Sequence, residues 1–402
     1  MKNIAIINVC DDMSTGKIAM GFYNDLKEKG YNTYFYYGSG SIHTDPHIVR
    51  IDSVMEYFYH TFMSRLTGMQ GSFSVMATRR LIKSMNECQI DTIILVSIHG
   101  YYLNERMFFK HVAKNNIRLV YTMIDEYPFL GACGFEPSCQ KYITGKGKCP
   151  NVRNKYPKSW FFDTCSSVLR RKQESYKAMK NTVFCGPEFL VNKASKSYLG
   201  QYMKRVVLDE AIDLEFYKPH DVKDLRKELG IEGDKIIILC VASTNNPWKG
   251  ADFFIEAAKR IGEDKRFVFI HIGYRYSDVI ELPSNYIPIK FVEKDSDFAR
   301  YYSLADLLVY PSVADAMSNV CLESFACGTP IVCFDISGMP YLLDETVGKL
   351  VPPRDVDALV KEIKAAKKKT DDDVNICRNY ALKRYDRRVN IEKLIEIAEQ
   401  TE

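Results

Sequence analysis

Apolar runs alternate with amphipathic segments along most of the chain. Ile4–Val9 reads as a buried strand, and Gly16–Lys29 as a helix that stops at Gly30. Thr33–Tyr37 follows as a strand, then Ser53–Leu66 and Phe73–Glu87 as helices. Thr92–Ile98 predicts a strand, Asn104–Lys114 a helix and Arg118–Ile124 another strand. A helix near Ser166–Met179 and a strand at Thr182–Cys185 resume the alternation after a break. Strands that are apolar on both faces, separated by helices, predict a parallel sheet covered on each side.

A second series begins after about residue 205. Lys235–Val241, Phe267–Ile272, Ile287–Phe291, Leu307–Tyr310 and Ile331–Phe334 read as strands. Ala251–Ile261, Ser296–Ser303, Asn319–Ala326 and Val356–Ala366 read as the helices between and after them, and Asp371–Glu402 as a charged helical end. Two α/β halves in tandem predict a cleft between them, because ligands of open parallel sheets bind beyond the carboxyl ends of the strands. The break itself, Tyr127–Lys158, carries Pro128, Pro137, Pro150 and Pro157, four glycines, and Cys133, Cys139 and Cys149. A long irregular loop in such a domain is usually functional or mobile.

Composition narrows the class. The 402 residues are 46% hydrophobic and 26% charged, which excludes disordered and collagen-like chains, and the length suits two or three domains. No run approaches a transmembrane span. The opening apolar run is cut by Asp11 and Asp12, which argues for a first strand over a secretory signal. Twelve cysteines without an export signal point to a reducing, cytoplasmic setting. Residues 1–200 carry 26 basic against 16 acidic side chains, and 141–200 alone 13 against 3. The second half is net acidic, so the halves should meet different partners, unless the excess is only a solvated helix face.

The run Tyr310-Pro-Ser-Val-Ala-Asp-Ala-Met-Ser-Asn-Val-Cys-Leu-Glu-Ser-Phe-Ala-Cys-Gly-Thr-Pro330 carries most of the chemistry. A strand turns through Pro-Ser to Asp315, and a helix starts at Ser318 or Asn319 with Glu323 in its second turn. Such a helix start, with Val320 in its first turn, offers unpaired N–H groups and the positive dipole end to an anion. Carboxylates at 315 and 323 accept hydrogen bonds from sugar hydroxyls. Asn245-Asn246-Pro-Trp-Lys249-Gly250 opens the helix after the strand at 235–241, where a lysine can neutralise a diphosphate. Ser14-Thr15-Gly16-Lys17-Ile18-Ala19 is a small-residue turn at another helix start, too sparse in glycine for a Walker loop. No Gly-x-Gly-x-x-Gly follows the first strand, which argues against a dehydrogenase. The cysteines at 133, 139 and 149 could hold zinc with a fourth ligand such as Cys165. They lack a Cys-x2-Cys pair, however, and no metal ligand is assigned.

The 310–330 run resembles the signature of retaining GT-B glycosyltransferases of glycosyltransferase family 4, with Asp315 in place of the first of two glutamates. The opening turn, with His99-Gly-Tyr-Tyr-Leu-Asn104 and Thr122-Met-Ile-Asp125, is similar to a subgroup that assembles bacterial surface polysaccharides. Ile212-Asp213-Leu-Glu-Phe216 is similar to the family's interdomain segment, with Ala211 replacing glycine. The resemblance implies an α/β GT-B fold of two Rossmann-like domains with an interdomain cleft. Residues 1–200 would bind the acceptor, 201–375 the donor, and helices at 376–402 would pack back on the first domain. It implies transfer of a sugar from a nucleotide-diphosphate sugar to a glycan or lipid-linked acceptor, with no cofactor and no nucleic-acid partner. Asp315, Glu323, Lys249, His99 and Asp125 would form the catalytic set; Gly16, Asn245, Asn246, Lys249, Ser318, Asn319, Val320 and Glu323 would contact the donor. The family's usual arginine is Thr244 here, and its usual histidine before Asp125 is Ile124. Those two departures leave room for a non-catalytic binding protein, and the fold for an epimerase or phosphorylase. Peripheral contact with an anionic inner-membrane face would use Lys155, Lys158, Arg170, Arg171 and Lys172.

Overall fold

Two all-parallel sheets account for the alternation. The computed structural model describes residues 2–135, 139–145, 149, 153, 157–275, 281–292, 294–315 and 317–400, without the side chains of Met13, Ser14 and Asp295. Pro137, Lys146, Pro150 and Lys155 thus lie outside the described residues. The chain divides into two units, one of residues 1–208 with 391–402, the other of 209–390.

Among the described residues the first unit holds seven strands: β1 (Asn3–Cys10), β2 (Asn32–Ser39), β3 (Ile48–Arg50), β4 (Thr92–Leu95), β5 (Arg118–Thr122), β6 (Thr182–Gly186) and β7 (Lys204–Val207). They lie in the order β3-β2-β1-β4-β5-β6-β7, every pair parallel. The helices α1 (Met13–Glu28), α2 (Val54–Thr67), α3 (Val75–Glu87), α4 (Glu105–Lys114), α5 (Lys141–Thr144), α6 (Cys165–Ala178) and α7 (Glu188–Ser195) complete it. β4, β5 and β6 are buried along their whole length, which is why they read as unbroken apolar runs.

The second unit has β8 (Ile236–Val241), β9 (Phe267–Ile272), β10 (Tyr286–Ile289), β11 (Leu307–Tyr310), β12 (Ile331–Phe334) and β13 (Gly348–Val351). Their order is β10-β9-β8-β11-β12-β13, again all parallel. Its helices are α8 (Lys223–Glu228), α9 (Ala251–Ile261), α10 (Asp295–Leu304), α11 (Asn319–Ala326), α12 (Met339–Leu342), α13 (Val356–Ala365) and α14 (Asp371–Arg384). Alternate residues of β11 serve opposite core layers: Leu308 and Tyr310 join Cys321, Leu322 and Phe325 of α11, while Leu307 and Val309 join α9. Each sheet reverses its winding once, between β1 and β4 in the first and between β8 and β11 in the second. Loops beyond the carboxyl ends of those strands are the expected ligand positions.

The unit boundary falls after Leu208, against the expected 200. Residues 376–390, grouped by the sequence reading with the returning end, lie in the second unit. Their apolar side chains explain it: Cys377, Ala381 and Tyr385 are buried in that unit's core. The Arg378 guanidinium also donates to the carbonyls of Leu214, Tyr217 and Ala326. The final helix, α15 (Arg387–Glu399), begins there, but Ile391, Leu394, Ile395, Ile397 and Ala398 are buried in the first unit's core.

Candidate functional site

In the second unit the chemistry collects at the winding reversal. The β8 loop turns through a short 3-10 helix, Pro247–Lys249, started by Asn246, whose side-chain oxygen accepts the Trp248 N–H at 3.1 Å. The next residue, Gly250, has φ +70°, and a Cβ there would stand 1.8 Å from the Pro311 carbonyl oxygen. Only glycine lets the β8 loop lie this close to the β11 loop. Ser312 Oγ and the Val313 N–H both donate to the Trp248 carbonyl, at 3.0 and 2.9 Å, and stitch the two loops together.

This stitching joins Lys249 to Asp315. Lys249 Nζ donates to Asp315 Oδ2 at 2.6 Å and lies 3.3 Å from the Tyr310 hydroxyl, which itself donates to Asp315. The Lys249 side chain is 37% exposed and that of Asp315 17%. Glu323 sits one turn into α11, its Oε2 accepting the hydroxyl of buried Tyr302 at 2.8 Å. Ser318 takes the N-cap position, but its side chain makes no capping bond. Val320 is half-buried against the core. Asn245 and Asn246 are exposed on the β8 loop. Thr244, at the family's arginine position, accepts the Arg275 N–H at 2.9 Å.

Three residues of this cluster carry no predicted role. Tyr310 and Tyr302 read as core aromatics, and only the fold shows that their hydroxyls hold the two carboxylates. Glu210 precedes the Ile212 segment; burial, then the Asp315 and Asp209 carboxylates, push its carboxyl up to about 8. No motif marks it.

In the first unit, His99 beyond β4 and Asp125 beyond β5 meet, as neighbouring strands allow. His99 Nε2 lies 2.5 Å from Asp125 Oδ2, and Asp125 Oδ1 accepts the Tyr127 N–H at 2.9 Å. Ile124 packs against the core and offers no polar group. Gly16 belongs to α1, and a Cβ there would stand 2.5 Å from the Asp11 carbonyl carbon. Its smallness is therefore used by the protein's own backbone, where the sequence suggested approach of a ligand.

The basic stretch is corrected in part. Lys172 is buried: its ammonium lies 3.2 Å from the Tyr127 ring centre and donates to the carbonyls of Tyr127 and Leu130 at 2.5 and 3.2 Å. Arg171 is turned inward onto Ser72 and the Gln70 carbonyl. Neither faces an external anion, because Lys172 holds the loop after β5 and Arg171 holds the turn between α2 and α3. Lys158 and Arg170 are exposed.

Residues 235–368, most of the second unit, match a family model.

That model is described as "Glycosyl transferases group 1". A D-inositol 3-phosphate glycosyltransferase of Kribbella flavida is 29% identical over 178 residues, which is 40% of this chain and 42% of that protein. The chain thus matches less than half the length of that curated relative. Whole-chain likeness is structural. Sucrose-phosphate synthase of Thermosynechococcus elongatus superposes with a TM-score of 0.67 at 13% identity, covering 99% of this chain and 98% of its own. HepE of Anabaena, solved with UDP-glucose, gives 0.66 at 14% identity over 98% and 99%. The fold is that of GT-B glycosyltransferases, two Rossmann-like domains with parallel sheets. Among the described residues no helix is long and apolar enough to cross a membrane.

Proposed function

We propose that this chain is a glycosyltransferase that moves a sugar from a nucleotide-diphosphate sugar to a hydroxyl of a glycan or lipid-linked acceptor, with retention of configuration. The observation that carries this reading is the Lys249–Asp315–Tyr310 cluster, held at the winding reversal within the segment that matches the family model. Lys249 and the uncapped start of α11 would receive the diphosphate, whose charge grows as the glycosidic bond to the leaving group breaks. Asp315 would accept from sugar hydroxyls and Glu323 from the nucleoside ribose. His99, oriented by Asp125, would face the acceptor side of the reaction as a proton-exchanging or hydrogen-bonding group. Asn245 and Asn246 would add neutral donors, and no metal or cofactor is required.

Surface-polysaccharide assembly and peripheral contact with an anionic membrane belong to the same proposal. Support for the contact comes from α2, where Val54, Met55, Phe58, Tyr59 and Phe62 are exposed along one stripe. The test is a donor-hydrolysis screen over UDP-, GDP- and ADP-sugars. Release of nucleoside diphosphate from one of them is expected. A second reading, a non-catalytic binder, is favoured by the absence of a polar group at Ile124 and of an arginine at 244. Nucleotide binding without hydrolysis or transfer would establish it.

A further inference from the structure

The irregular stretch after β5 carries cysteines that glycosyl transfer does not use. From Met123 to Thr164 the described residues hold α5 as their only helix or strand. One small cluster lies under the later part of this stretch: Ala132, Cys165 and Val168 are buried, with Met69 and Cys149 packed against them. Three side chains converge at that point. A ligand atom each from Cys149, Asp163 and Cys165 all lie within 4.8 Å of one another. Tetrahedral zinc, with Zn–S bonds of about 2.3 Å, separates two sulfurs by roughly 3.8 Å. A contraction of about 1 Å would therefore close the set around one ion.

The local bonding explains how residues so far apart in sequence meet. Asp163 Oδ2 accepts the Cys149 N–H at 2.7 Å, and Asp163 Oδ1 accepts the Cys165 N–H at 3.1 Å. One carboxylate thereby gathers both cysteines by their main chains. Cys165 is the first residue of α6, where the helix N-terminus favours a thiolate. Two thiolates and a carboxylate around a divalent ion leave one negative charge. Lys141 supplies the opposite one, its Nζ 3.8 Å from Asp163 and its side chain 6% exposed.

The geometry points to a divalent metal site, zinc by the softness of its sulfur ligands, with Cys149, Asp163 and Cys165 as three protein ligands and a fourth position open to water. The spacing of the cysteines assigned no metal because no Cys-x2-Cys pair exists; the ligands are instead two cysteines sixteen residues apart and an aspartate beside the second. The ion pins a loop whose beginning borders the His99–Asp125 pair, where the Glu126 N–H donates to the Gly134 carbonyl at 2.8 Å. The site does not depend on the transfer reaction.

The test is metal content by mass spectrometry on the full-length protein purified without chelator. About one zinc per chain is expected, falling at least tenfold in Cys149→Ser and in Cys165→Ser and unchanged in Cys88→Ser, a cysteine at the end of α3. Because Cys165 is buried and its loss can unsettle the start of α6, cobalt substitution of the unaltered protein gives an independent readout. Tetrahedral d–d bands with thiolate-to-cobalt charge transfer are expected. Protein that takes up neither ion, metal retained in both loop variants, or a Cys149–Cys165 disulfide in a non-reduced peptide map overturns the proposal.

Discussion

Lys249→Ala separates a catalytic lysine from a structural one. In the structure its ammonium bridges Asp315 and Tyr310, so a purely structural role would appear as lost stability. That loss should be small. The Lys249 side chain is 37% exposed, and ion pairs in such settings contribute about 0.2–1 kcal/mol. Asp315 also keeps the Tyr310 hydroxyl as a donor when the lysine is gone. The effect on turnover should be much larger. Charge builds on the departing diphosphate in the transition state, and removing one preorganised donor from such a position typically costs about 10²–10³ in kcat, roughly 3–4 kcal/mol. Two measurements suffice: urea unfolding of both proteins, and single-turnover transfer at saturating donor. The expected result is a stability change of about 1 kcal/mol or less with a rate lower by at least about 100-fold. A normal single-turnover rate would refute the assignment, and a large stability loss with that normal rate would make the pair a loop clasp only.

Glu323→Gln should leave the fold intact and weaken nucleotide binding by about 1.5–3 kcal/mol, the range for a hydrogen bond to a charged group, as calorimetry would read; unchanged affinity removes Glu323 from the site. Burial holds the Lys172 amine down to about 8. The native chain therefore sheds this proton before the unfolded chain does, and stability should rise as pH climbs from about 8 toward 10.5, by roughly 3 kcal/mol at most. Lys172→Met should lose that part of the slope in denaturation series at pH 8, 9 and 10; an unchanged slope would show the amine is not the cause. Vesicles containing anionic lipid should co-float with the protein at low salt. Phe58→Ser with Phe62→Ser should reduce the bound fraction severalfold, and equal flotation of that double variant would exclude α2 as the contact.

Much of the fold was legible because buried parallel strands are apolar on both faces. β11, α11 and β12 match the predicted bounds residue for residue. The strands missed, β3, β7 and β13, are all sheet edges. β7 is Lys204-Arg-Val-Val207 with largely exposed side chains, and charge on an edge, which discourages further pairing, also erases the apolar signal. The site was legible where one short run encodes it. Asp315 and Glu323 are separated by a fixed stretch of loop and helix, so spacing alone places both near the α11 start. Glu210 and Tyr302 enter the same cluster only through the packing of distant segments. Lys172 is the opposite case: its basic run predicts a surface side chain, and its burial is not legible because the two carbonyls and the ring that hold it come from a loop without periodicity.

The path of the chain also sets an order in time. Protein synthesis proceeds at about 5–20 residues per second, so the roughly two helical turns at Ile391–Ala398 follow residue 208 by roughly 10–40 s. During that interval the first unit has all seven strands available but lacks the apolar side chains that α15 contributes to its core. The second unit, made later, has its complement when Asn390 emerges. The half synthesised first is thus the half completed last, and a nascent chain spends its longest wait with one face of the sheet that carries His99 and Asp125 covered by α1 but not by α15. An isolated fragment of residues 1–208 would stay in that waiting state, whereas the same fragment joined to a segment spanning 391–400 would recover the missing wall.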